Sequence, residues 1–207
     1  LARTGGNLQG ADHTLDGPVT WTGGIIRGAA STTVASTLAI SGANGKTLGA
    51  GRVLNIGDTT WSGNTAANNG TIVFTGASLN SSGTWTDANA FDSYVQSYSG
   101  TNAFNNAGTF NKQNATTTTM DVVYNNTGTT HVNAGRFKII GGGTSNGAFN
   151  VAGGAVLDFN SGTHNLNAAS ITGAGMTEIS GLNAYTFVNL NGGTLSTALL
   201  LSGGNLQ

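Results

Sequence analysis

Asp87 and Asp92 stand five residues apart in Trp85-Thr86-Asp87-Ala88-Asn89-Ala90-Phe91-Asp92-Ser93-Tyr94-Val95-Gln96-Ser97-Tyr98, the densest meeting of acids and aromatic rings in the chain. Carboxylates beside Trp85, Phe91, Tyr94 and Tyr98 suit a glycan-binding loop, with rings stacking on sugar and acids accepting from hydroxyls. A polysaccharide-degrading enzyme would need more: clustered carboxylates that hold calcium or serve as acid and base. The other acids, Asp12, Asp16, Asp58, Asp121, Asp158 and Glu178, are grouped by no motif. Turn acids on a solvated loop account for Asp87 and Asp92 without any ligand, so no catalytic residue is assigned. His13, His131 and His164 lie far apart and cysteine is absent, so neither a zinc site nor a disulfide framework is expected. No Gly-Gly-x-Gly-x-Asp nonapeptide of a calcium-filled roll occurs. Gly141-Gly142-Gly143 is followed by neither Gly-Lys-Ser/Thr nor a helical pattern, which removes a phosphate loop. No metal and no cofactor is expected.

The elements that would position these residues show in the composition. Charged residues make up 7% of the 207, against about 25% in ordinary globular proteins. There are 34 glycines and one proline. A disordered polar tract lacks regularly placed apolar residues, whereas 38% of this chain is hydrophobic. Strands stacked in register explain the missing charge, because like charges would sit about 4.8 Å apart while Asn, Thr and Ser can hydrogen-bond to their own kind. A net charge of −1 offers no footprint for nucleic acid. Ala198-Leu199-Leu200-Leu201 is too short to enter a membrane.

Phe104-Asn105-Asn106-Ala107-Gly108-Thr109 returns twenty positions later as Tyr124-Asn125-Asn126-Thr127-Gly128-Thr129, and more loosely around Asn146-Gly147. Counting back in steps of 19 from Gly108 reaches Gly70 and Gly51, with Asn89 filling the slot between Gly70 and Gly108. Two residues after these glycines come Val53, Ile72, Phe110, Thr130 and Phe149, which reads as one core position per coil. The residues between are strand and turn formers, not helix formers. The expected fold is all-β: a single-stranded parallel β-solenoid of about ten coils of roughly 19–20 residues. Asn105, Asn125 and Asn146 are expected in turns or a short ladder. Val19-Thr20-Trp21-Thr22 alternates as a half-buried strand should. Residues 84–102 lack a clean glycine marker and are expected to form an irregular coil with a protruding loop; Thr116–Thr119 is a second place for an outward bulge.

Thr4-Gly5-Gly6-Asn7-Leu8-Gln9 reappears as Ser202-Gly203-Gly204-Asn205-Leu206-Gln207, an offset of 198. Residues 1–207 are therefore expected to be one module of a tandem or end-to-end stacked array. Neither end shows a charged, helical or proline-rich cap, which favours stacking on copies of itself.

The running Asn-Asn-x-Gly-Thr pattern, Trp21-Thr22-Gly23-Gly24 and Gly154-Ala155-Val156-Leu157-Asp158-Phe159 resemble repeats of large secreted bacterial β-helix proteins, the filamentous-haemagglutinin-type adhesins and autotransporter passengers. That resemblance implies a right-handed winding, an extracellular or cell-surface location, and a part in adhesion or surface fibres. It carries no catalytic residues. Two functions follow. One is a structural module that gives length and stiffness. The other is a glycan-binding or polysaccharide-degrading β-helix using residues 84–102, with surface glycans or other cells as partners. Ice binding would need a regular Thr-x-Thr face, and the column containing Thr71, Thr109 and Thr129 is interrupted by Arg52 and Ala148.

Overall fold

The computed structural model describes residues 1–181 and 185–207. Among the described residues there is no helix, and none is therefore long and apolar enough to cross a membrane. The strands form three ten-stranded parallel sheets, here A, B and C, which the chain visits in strict rotation. One circuit runs from Thr84–Asp87 in sheet A to Ser93–Ser99 in sheet B and Ala103–Asn106 in sheet C. The next begins at Thr109–Lys112, back in sheet A. This is a β-solenoid of about nine turns, as the repeat predicts.

Each strand is four residues or so with every second side chain turned inward, so a coil needs only a few apolar positions. In sheet A one inward column holds Val19, Leu38, Thr59, Trp85, Phe110, Thr130, Phe149 and Ile171 in register. Each of the eight is 4% exposed or less. Trp61, Trp85, Phe104, Phe110, Tyr124 and Phe137 come from all three sheets and meet in the middle, ring centroids 4.8 to 6.3 Å apart. Most of these contacts are edge-to-face, an arrangement worth about 0.5–1.5 kcal/mol per pair beyond area burial.

At the corner between sheets C and A the coils approach so closely that only glycine fits. A Cβ on Gly108 would lie 2.1 Å from the Gly83 carbonyl oxygen, one on Gly128 2.0 Å from that of Gly108, and one on Gly147 2.1 Å from that of Gly128. The column is thus 83, 108, 128, 147, and the backward count by 19 goes astray. Gly70 precedes Ile72–Thr75 of sheet B and Gly51 precedes Val53–Ile56 of sheet C. Both are turn glycines, with φ of +68° and +80°, but on other corners. Val53 accordingly faces outward, while Leu54 and Ile56 fill the core. The count fails because coil length varies: 19 residues separate Val19 from its partner Leu38, and 26 separate Thr59 from Trp85.

One further expectation changes. Thr117–Met120 is a regular strand of sheet B with Thr118 fully buried, so the threonine run does not bulge. Of the two places expected for Asn146, it takes the corner and not the ladder: it is exposed between strands, and Thr144 occupies the position next to Asn125.

Gly128→Ala should cost about 3 kcal/mol or more, because the new methyl meets backbone that cannot yield. Gly57→Ala, whose Cβ would find its nearest neighbour 3.9 Å away, should stay within about 0.5 kcal/mol of the parent. Urea unfolding midpoints of the two variants check this.

Candidate functional site

The stretch from Trp85 to Tyr98 crosses sheet A, a corner and sheet B, and its six candidate residues do not share one surface. Trp85 lies on an inward position of sheet A with no exposure, and its indole N–H has no hydrogen-bond partner. Asp87, also inward, is 1% exposed. Its Oδ1 accepts from the Asn89 backbone N–H at 3.1 Å and from Asn89 Nδ2 at 2.8 Å. Its Oδ2 accepts from Ser93 Oγ at 3.1 Å and from Thr118 Oγ1. Four donors occupy the lone-pair sites of this carboxylate. The inward partner of Asp87 on the next coil is Lys112, likewise 1% exposed. Lys112 Nζ donates to the Asn114 carbonyl and, at 3.0 Å, to Thr116 Oγ1. Burial holds its pKa below the ordinary value, against the pull of Asp87 and Asp92.

Phe91 and Asp92 emerge at the corner between sheets A and B, both exposed. The longer coils place residues 63–70 and 88–92 against each other there. Asn64, itself buried, donates through Nδ2 to the carbonyls of Phe91 (2.9 Å) and Asp92 (3.2 Å) and accepts the Phe91 N–H at 3.2 Å. Asp92 Oδ1 accepts the Thr117 N–H at 2.8 Å.

Tyr94 and Tyr98 lie on the outside of sheet B. The Tyr94 hydroxyl donates to Asp121 Oδ2 at 3.0 Å, and burial followed by this acid pushes the phenol up to about 12. Tyr98 is 76% exposed. Trp85 and Asp87 are thus inside, Phe91 and Asp92 at one corner, and the two tyrosines on a face.

The structure assembles one cluster that no sequence motif marks. Asp158 and Glu178 are register partners on neighbouring strands of sheet B, and Arg136 Nη1 lies 2.7 Å from an oxygen of each. Ser180 Oγ donates to Asp158 at 2.5 Å and Ser202 Oγ to Glu178 at 2.7 Å. The Ser202 hydroxyl first, and Arg136 after it, hold the Glu178 carboxyl below its ordinary value against its partial burial. Arg136 ties its own coil to the two that follow. The only sequence signal is the separation of twenty residues, one coil, which means nothing until the register is known. Among the described residues no three His, Cys, Asp or Glu gather to hold a metal ion.

Asn105 and Asn125, expected in turns or a short ladder, lie in a ladder along the outside of sheet C together with Asn55 and Asn80. Asn80 Nδ2 donates to Asn55 Oδ1 at 2.9 Å, Asn105 to Asn80 at 2.8 Å and Asn125 to Asn105 at 2.8 Å. The neighbouring column, Asn106 and Asn126, turns inward; Asn106 Nδ2 donates to Asn126 Oδ1 at 2.8 Å. Such ladders strengthen the stack and occupy the amides. Shallow depressions of about 330 Å³ beside Thr60 and Thr86, about 240 Å³ beside His131 and Asn150, and about 360 Å³ beside Asn160 and Tyr185 hold none of the six candidates.

Comparison with protein-family models, with curated proteins and with solved structures gives no match.

With Glu178's folded-state pKa depressed, its share of stability is complete above its ordinary value of 4.5 and is lost as the pH falls through the lower folded-state value. Glu178→Gln should therefore lower the thermal midpoint near neutrality and flatten its decline in acid. A midpoint series from pH 7 to pH 3 on both proteins reads this.

Proposed function

We propose that this chain is a structural module of an extracellular β-solenoid fibre or adhesin stalk, a stiff spacer that joins end to end with copies of itself. The observation that carries the reading is the uninterrupted rotation of strands through three parallel sheets, ten deep, around one aromatic core. A coil in that stack cannot leave without breaking ladders above and below it, so the rod resists bending and proteolysis along its length. Its interior acid Asp87 is consumed by internal hydrogen bonds, as a spacer requires. The resemblance to repeats of secreted bacterial β-helix proteins supports a place outside the cell.

The repeated hexapeptide supports an array. Its first copy contributes Asn7–Leu8 to sheet B and its second Asn205–Leu206 to sheet C. Modules joined at the offset of 198 residues would continue the parallel sheets, each rotated by one face of the three-sided rod relative to the last. Such head-to-tail contact does not close on itself and gives a filament.

The test is a polypeptide holding two consecutive 198-residue units, studied by small-angle X-ray scattering beside the single unit. Nine turns at about 4.8 Å predict a rod about 43 Å long, and the double unit should double that length at unchanged cross-section. A sharp elbow between units, or a compact particle, would contradict the proposal.

A further inference from the structure

Sheet B differs from its neighbours in what it shows the solvent. From Asp92 to the C-terminus the ionisable Asp, Glu, Lys and Arg side chains are Asp92, Lys112, Asp121, Arg136, Lys138, Asp158 and Glu178. Lys112 and Asp158 are buried; the other five, at least partly exposed, lie on strands of sheet B or on the residue next to one. The same face carries Tyr94, Gln96 and Tyr98.

Tyr98 is there because the strand is irregular. Phe74 pairs with Ser97, but the next residue, Thr75, pairs with Ser99, leaving Tyr98 as the extra residue of a bulge. Bulges commonly re-aim a side chain beside a functional site. This one makes Tyr98, at 76%, the most exposed large hydrophobic side chain among the described residues. It is also braced from several sides. Asn102, 4% exposed, donates through Nδ2 to Ser97 Oγ and the Ser99 carbonyl, both at 2.9 Å, and accepts the Ala77 N–H at 3.0 Å. Asp121 Oδ2 accepts the Ser97 N–H at 3.3 Å, and Gly100, at φ +71°, turns the chain away. The backbone that carries the ring is fixed before any ligand arrives, which spares part of the entropy of ordering the site.

We propose that the Tyr98 bulge is a carbohydrate-binding site for a neutral glycan, a function beyond the spacer role and independent of it. The phenol ring offers an apolar face for one pyranose ring. Gln96, partly exposed on the same strand, and Asp121, partly exposed beside the bulge, offer amide and carboxylate groups to its hydroxyls. Asp121 uses only Oδ2 in its bonds to Tyr94 and Ser97, and Oδ1 remains as an acceptor. An apolar platform with a few orienting polar groups is the usual composition of a small-molecule site. The carboxylate disfavours acidic sugars. A protein partner fits less well, because an interface core needs further apolar anchors, and the residues flanking Tyr98 are serines and a glycine. One ring gives weak binding, which copies of the module along a fibre would raise through avidity.

The test places the 207-residue chain on an array of immobilised neutral and acidic oligosaccharides, alongside Tyr98→Phe, Tyr98→Ala and Phe91→Ala. Neutral oligosaccharides should be retained by the parent, by Tyr98→Phe and by Phe91→Ala, and about tenfold less by Tyr98→Ala. In the parent, adding the best-retained oligosaccharide should move NMR resonances of Gln96, Tyr98 and Asp121. The proposal is overturned by retention of acidic oligosaccharides alone or of none, by equal retention with Tyr98→Ala, or by resonance changes centred elsewhere.

Discussion

One constraint shapes the molecule: each strand lies directly on its counterpart from the coil before, at the spacing of backbone hydrogen bonds. Every side chain therefore has its neighbour chosen by register, about 4.8 Å away. Glycines stack where carbonyls crowd the corner from Gly83 to Gly147. Asparagines stack where amide can donate to amide, from Asn55 to Asn125. Charges survive where a nearby coil supplies the opposite sign, as Arg136 does for Asp158 one coil on and Glu178 two coils on.

Winding a sheet into a narrow rod points some corner carbonyls inward, and these must be paired. Three buried cations meet that need. Lys46 donates to the Gly42 carbonyl at 2.8 Å, and its burial holds its pKa down at about 8. Arg52, with no exposure, reaches the carbonyls of Gly10, Arg27 and Ser31 and so ties three coils together. Lys112 donates to the Asn114 carbonyl within its own coil, with Asp87 in register beneath it. Scattered through the sequence, these residues look like ordinary surface charge; in the structure they are internal fasteners.

That difference marks how far the sequence could be read. The parallel stack was legible because the coils starting at Thr109 and Thr129 run 20 and 19 residues to their next partners and keep their glycines. It became illegible across Thr59 to Thr109, where residues 63–70 and 88–92 lengthen two coils and a fixed count slides onto the wrong corner. Asp87 looked like half of an acid pair because a carboxylate is not expected inside, although alternation places it on the face of Trp85; the donors that satisfy it there, Asn89, Ser93 and Thr118, are assembled only by the fold. Asp158 and Glu178 looked unrelated for the converse reason: their contact exists only through register. Tyr98 was noticed for its aromatic ring, but the bulge that displays it depends on Asn102 and Asp121, one after the strand and one on the next coil.

The register itself can be measured without imaging the molecule, since the chain contains no cysteine. Cysteines placed at Thr109 and Thr129, register partners in sheet A, should form a disulfide under mild oxidation, their Cα atoms being within reach of one another. Cysteines at Thr71 and Thr109, each one residue after a glycine of the uniform count but on different corners of the rod, should remain reduced. Ready bridging of the second pair with none of the first would mean that the coils do not stack as described.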